Sequence, residues 1–154
     1  MKYLILFITI LWSSAIFSQN LTWELVVDGV GVSSHQDIQS LDFEAGPTVT
    51  SFSFVSTGAY AKTWSEVGLD TDKYFQVAFK SNSLDTFELN TIEYSERRSG
   101  TGIRDYELRY SKAIDFQTFT SMGIVSVPDN DLERDTTIHN VAIKIYPNDV
   151  FYLR

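Results

Sequence analysis

The sequence predicts an all-β domain, an antiparallel β-sandwich of jelly-roll-like form. Three observations carry that expectation. Apolar and aromatic residues alternate with polar ones in segment after segment, which is the period of a half-buried strand. Turn chemistry separates the runs at Asp28-Gly29, Gly46-Pro47, Pro128-Asp129-Asn130 and Pro147-Asn148-Asp149. After residue 19, no window holds apolar residues at i, i+3, i+4 and i+7 across three turns, so no helix competes.

Taken in order, Leu21, Trp23, Leu25 and Val27 occupy every second position of the first run. Phe52 and Phe54 alternate with Ser51 and Ser53, and Phe75, Val77 and Phe79 alternate with Tyr74, Gln76 and Ala78. Phe87 and Leu89 are followed by Ile92 and Tyr94, a change of phase that implies a bulge at Asn90-Thr91. Tyr106, Leu108 and Tyr110 form the next run, Val141, Ile143 and Ile145 another, and Phe151 and Leu153 begin a last one. Strand residues of like parity share a face, so each run offers one apolar face to a core.

Residues 1–18 stand apart as a secretory signal peptide. Lys2 supplies the positive start, YLILFITILW the apolar stretch, and residues 13–18 a small-residue approach to cleavage between Ser18 and Gln19. A membrane-spanning helix needs about 20 apolar residues, and this run breaks sooner, at Ser13-Ser14. The expected product is secreted, extracellular or on the cell surface, as a single domain over residues 19–154. Removing 18 residues with one lysine from 154 leaves 136 residues with 11 basic and 20 acidic groups, a net charge of −9.

That charge argues against a nucleic-acid partner, which needs a clustered basic footprint. The absence of cysteine excludes a disulfide scaffold, thiolate metal sites and a thiol nucleophile. The sequence stops inside an apparent strand, at Phe151-Tyr152-Leu153-Arg154. The expectation is therefore a sandwich truncated at its C-terminus, lacking its final strand or strands, with neighbouring domains in a larger parent protein and no membrane span after signal cleavage.

Residues 87–110 (FELNTIEYSERRSGTGIRDYELRY) set an apolar strand before the loop Arg97-Arg98-Ser99-Gly100-Thr101-Gly102, followed by a strand ending in Leu108-Arg109-Tyr110-Ser111. With residues 73–80 (KYFQVAFK) and 151–154, the pattern resembles a jelly-roll-like β-sandwich accessory module of large exported Gram-negative bacterial surface proteins, often those using type IX secretion. Such modules usually finish in a Gly-rich, Trp-containing strand that this sequence lacks. The resemblance implies a non-catalytic accessory or adhesion-type domain, and it brings no catalytic residues with it.

The chemistry-bearing residues are few. Asp105, Glu107 and Arg109 share one face of a strand, and two carboxylates there are the pattern of a glycosidase acid and base; the ordinary reading is a solvated face with arginines pairing the acids. Asp129, Asp131, Glu133 and Asp135 alternate through PDNDLERD, and hard oxygen ligands suit calcium. Asp129, Asp131 and Asp135 are the candidate ligands. The segment lacks the glycine at position six and the glutamate at position twelve of a helix–loop–helix calcium site, and a solvated acidic loop is the simpler reading.

His35 and His139 have no flanking Ser or Asp motif, so no nucleophile triad is expected. Arg97 and Arg98 point to opposite sides if the strand phase holds, setting one inward against Glu93 or Glu96; the pair is either a salt-bridged clamp or a site for a sugar or carboxylate. Tyr60 and Trp64 fall in a loop-like stretch and are the candidate rings for stacking on a sugar, unless Trp64 covers the core edge. The expected function is a secreted, non-catalytic binding or adhesion module for a carbohydrate or cell-surface ligand. A glycosidase using strand carboxylates and a purely structural spacer are the alternatives.

Overall fold

A computed structural model of the protein describes residues 20–56, 58–62, 64, 70–98, 102–130 and 132–154. The signal segment and its cleavage point, Asp131, and residues 99–101 of the arginine loop lie outside the described residues. Those described form strands and no helix: β1 (Leu21–Trp23), β2 (Gly31–Ser33), β3 (Ile38–Ala45), β4 (Thr50–Val55), β5 (Gly58–Lys62), β6 (Phe75–Ser81), β7 (Phe87–Glu96), β8 (Asp105–Ser111), β9 (Thr120–Ser126), β10 (Arg134–Ile145) and β11 (Val150–Leu153). All pairings are antiparallel. The all-β, sandwich-like class read from the alternation is what the chain adopts.

One layer is a five-stranded sheet in the order β3-β6-β11-β8-β9. Against it lie the pairs β1-β2, β7-β10 and β4-β5. The core between the layers follows from parity. Phe79 of β6 and Phe151 of β11 are in register and face inward, and they meet Ile143 and Ile145 of β10 together with Ile38. Leu21, Trp23, Phe87, Leu89, Val141, Tyr110 and Leu153 pack around this group. Trp23 is fixed by an indole N–H donated to the Leu41 carbonyl at 2.7 Å, the partner a buried indole needs. Gly31 lies under that ring: a Cβ there would come within 2.4 Å of Trp23 Nε1 and 2.6 Å of Ser40 Cβ.

Several details correct the sequence reading. Leu25 and Val27 leave the strand after Trp23, and Val27 is 79% exposed. The change of phase near Asn90 is present, but the extra residues are on the partner strand. Thr91 pairs with His139 and Leu89 with Ile143, so Asn90 alone faces Asn140, Val141 and Ala142. Asn140 and Ala142 there take left-handed backbone, with φ of 55° and 48°. Tyr60 belongs to strand β5 rather than to a loop.

The last strand lies inside the sheet rather than at its edge. β11 does not present an unpaired edge. It pairs with β6 from Val150 to Leu153 on one side and with β8 through Tyr152 and Leu153 on the other. Its ladder continues into Arg154, whose N–H and C=O exchange 2.8 Å bonds with those of Arg109.

Candidate functional site

The structure scatters the sequence candidates over three places. Tyr60 lies on the β4-β5 hairpin, 44% exposed, with Lys62 Nζ 5.9 Å from its ring centroid. Trp64 instead meets Phe75 edge-on at 4.9 Å. Phe75 belongs to the cluster of Phe43, Phe52 and Phe54. Trp64 thus covers the edge of an aromatic core, and Tyr60 is the one of the two rings left open.

Arg98 is the inward arginine. Its side chain is 10% exposed, pairs with Asp129 at 3.1 Å and donates to the Gly102 carbonyl at 3.3 Å. Its partner is therefore Asp129, not Glu93 or Glu96. Arg97 is on the exposed side. Glu96, 12% exposed at its side chain, is held instead by Arg134 of β10 and by the Thr136 hydroxyl at 3.2 Å. Across the layers, the Tyr106 hydroxyl donates to Tyr94 Oη at 2.6 Å. Burial drives the Tyr106 phenol far above its ordinary range, reinforced by the Glu96 carboxylate and Tyr94. This end of the sandwich interior is polar, and Glu96 Oε2 and Arg98 Nε are buried without a hydrogen-bond partner.

The acidic segment does not converge. Asp129 is taken by Arg98, and Asp135 accepts from the Ser95 hydroxyl at 2.6 Å. Among the described residues, no group of three or more His, Asp or Glu side chains is placed to hold a metal ion. The carboxylates of β8 are engaged as well. Glu107 accepts from Arg109 Nε at 2.9 Å, and bonds from Arg109 and Ser121 hold its carboxyl below the usual range. Asp105 accepts from Ser126 Oγ at 2.5 Å.

A further constellation was not read from the sequence. On the outer face of the five-stranded sheet, one rung runs from β3 to β8. Gln76 donates to Glu44 Oε2 at 3.1 Å, Arg154 Nε donates to Gln76 Oε1 at 2.8 Å, and Arg109 stands opposite Arg154 in the ladder. Residues 112–119 fold over this rung, anchored by Ser111 Oγ donating to the Thr118 carbonyl at 2.7 Å. They lay rings on both arginines. The Arg154 guanidinium carbon is 3.7 Å from the centroid of Tyr74 and 3.9 Å from that of Phe116, and that of Arg109 is 4.2 Å from Phe119. The alternation of residues 73–80 already set Tyr74 and Gln76 on one face. Nothing in the sequence showed that Arg154 would arrive between them and Arg109, because β6, β11 and β8 are neighbours only in space.

Comparison with known protein families, curated proteins and solved structures finds no match to this chain.

Proposed function

We propose that the chain is a secreted, non-catalytic binding or adhesion-type module of a larger surface protein, taking a carbohydrate on its surface. One observation supports this reading over catalysis: the two carboxylates that could have formed an acid–base pair on β8 are committed to neighbours. Glu107 is held ionised by Arg109, which removes it as a proton donor near neutral pH. Asp105 is occupied by Ser126. What remains on the surface are rings, Tyr60 with Lys62 beside it and Phe119 against Arg109. Ring stacking by one or two residues supports affinities of about millimolar to high micromolar.

The test is a broad glycan array probed with the full-length secreted protein, followed by affinity electrophoresis of hits. Tyr60→Ala should weaken retention on a neutral polysaccharide while leaving the melting curve unchanged. Absence of binding across the array would replace this reading with that of a structural spacer. Sequencing the N-terminus of the exported form checks the compartment, with a start at or near Gln19 expected and a start at Met1 counting against it.

A further inference from the structure

The Arg109–Arg154 rung is unusual in its charge arrangement. Residues that exchange both backbone bonds in an antiparallel ladder lie about 5.5 Å apart at Cα with side chains on one face, and like charges so placed repel. Arg109 is balanced by Glu107 at its side. Arg154 is not: among the described residues it forms no ion pair, its direct contacts being Gln76, the Ile114 carbonyl and two rings, while the Glu44 and Asp115 carboxylates act on it only at longer range. Glu44 accepts from the same Gln76. Of its five guanidinium donors, those on Nε and Nη2 have acceptors among the described residues, Gln76 and the Ile114 carbonyl.

The loop that roofs it is strained. Phe116 holds a φ of 51°, a left-handed backbone that costs a bulky residue free energy and that persists where the surroundings enforce it. Phe119, at the open side of the rung, is 45% exposed. A chain with net charge −8 attracts no anion as a whole. An anion site must then be local, since charges are screened over about 8 Å in physiological salt; here it would draw on the Arg154 donors without an acceptor among the described residues and on Arg109, which is shared with Glu107.

We infer that the rung is a ligand site for a negatively charged sugar, whose carboxylate or sulfate group bridges Arg154 and Arg109 while its ring packs against Phe119. The inference rests on the carbohydrate-binding reading above and names its ligand class. A guanidinium fork matches a carboxylate or ester sulfate in two parallel hydrogen bonds, and a sugar's apolar face fits an exposed aromatic ring. A planar carboxylate offers the fork its two oxygens and a tetrahedral ester sulfate two of its three, so either group can satisfy it and the polymer used in the assay distinguishes them.

Affinity electrophoresis of the full chain through gels holding polygalacturonate, a carrageenan or neutral xylan provides the test. Retardation is expected on one or both acidic polymers, the polymer identifying the acid group, and should fall about tenfold in Arg154→Gln. Arg154→Lys should restore it only in part, and Tyr60→Ala should leave it unchanged. With the wild-type chain alone, free galacturonate should release the protein from polygalacturonate, or sulfated galactose from carrageenan, where galactose at equal concentration does not. Equal release by the neutral sugar overturns the inference whatever the variants do, as does undiminished retention of folded Arg154→Gln. Retention on xylan only, lost in Tyr60→Ala, also overturns it while leaving the binding function intact. No retention on any polymer and an empty glycan array overturn both.

Discussion

Replacing Phe151 by Ala tests whether β11 is the keystone its position implies. Phe151 is 1% exposed and lies between Phe79, at 5.1 Å, and Tyr110, stacked at 5.5 Å. Truncating a buried Phe to Ala costs about 3–5 kcal/mol, through lost transfer energy and the cavity left behind. Two ring–ring contacts vanish with it, each worth roughly 0.5–1.5 kcal/mol beyond area, which places this site at the upper end, about 4–5 kcal/mol. Collapse offers little relief, since the backbone of β11 is tied to both β6 and β8. Against a total stability of about 5–15 kcal/mol for a domain, this removes from about a third to nearly all of it, so the variant should unfold at far lower denaturant. Urea unfolding followed by circular dichroism reads this as a fall in midpoint at unchanged slope. Ile124→Ala is the control: the residue is 75% exposed on edge strand β9, and its loss should cost under about 0.5 kcal/mol. A Phe151→Ala midpoint indistinguishable from that of Ile124→Ala would refute the placement of β11 at the sheet centre.

Arg134→Ala strands the Glu96 carboxylate inside the sandwich end. Because Arg134 is 33% exposed, the loss should be about 2–3 kcal/mol, less than for a fully buried pair, and replacing both partners by apolar residues should recover most of it. Glu107 has its folded pKa depressed, so its contribution is present above the unfolded value of about 4.3 and is lost as pH falls through the folded one; Glu107→Gln should flatten the acid limb of a stability–pH curve below that point. Tyr106 has its folded pKa raised, so it stabilises fully below the unfolded value of about 10 and loses that contribution as pH climbs further. An ultraviolet titration should show this phenol ionising only as the protein unfolds, and Tyr106→Phe should shift the alkaline unfolding midpoint upward.

Strand identity was legible wherever alternation was clean. Tyr106, Leu108 and Tyr110, or Phe75, Val77 and Phe79, point inward as parity requires, because a two-sided strand writes its burial directly into sequence. β3 was not legible. A bulge between Leu41 and Glu44 shifts its register, breaking the period on which recognition depends. β9 escaped for a different reason: as an edge strand with Ile124 turned to solvent and Gly123 at a φ of 110°, it has no consistent apolar face. For the site residues, sequence narrowed Arg97 and Arg98 to one inward and one outward but could not name Asp129 as the partner, since that pairing is made between loops. The Arg154–Gln76–Glu44 rung was hidden for the same reason, its members lying on strands far apart in the chain.

The place of β11 also sets an order of events in folding. The sheet reads β3-β6-β11-β8-β9, so the halves β3-β6 and β8-β9 share no ladder until residues 150–153 slot between them. Tyr152 must find Ala78 and Ser111 at once, closing loops of very different length. Loop-closure entropy is then lost before the contacts that repay it form, the condition under which β-proteins fold slowly. Until that step, β6 and β8 each expose an unsatisfied backbone edge beside Phe79 and Tyr110, the kind of transient template on which chains pair with one another instead of with themselves. A chain emerging residue by residue must hold that gap open until its 150th residue arrives, and whatever keeps the two edges apart in the meantime decides its yield.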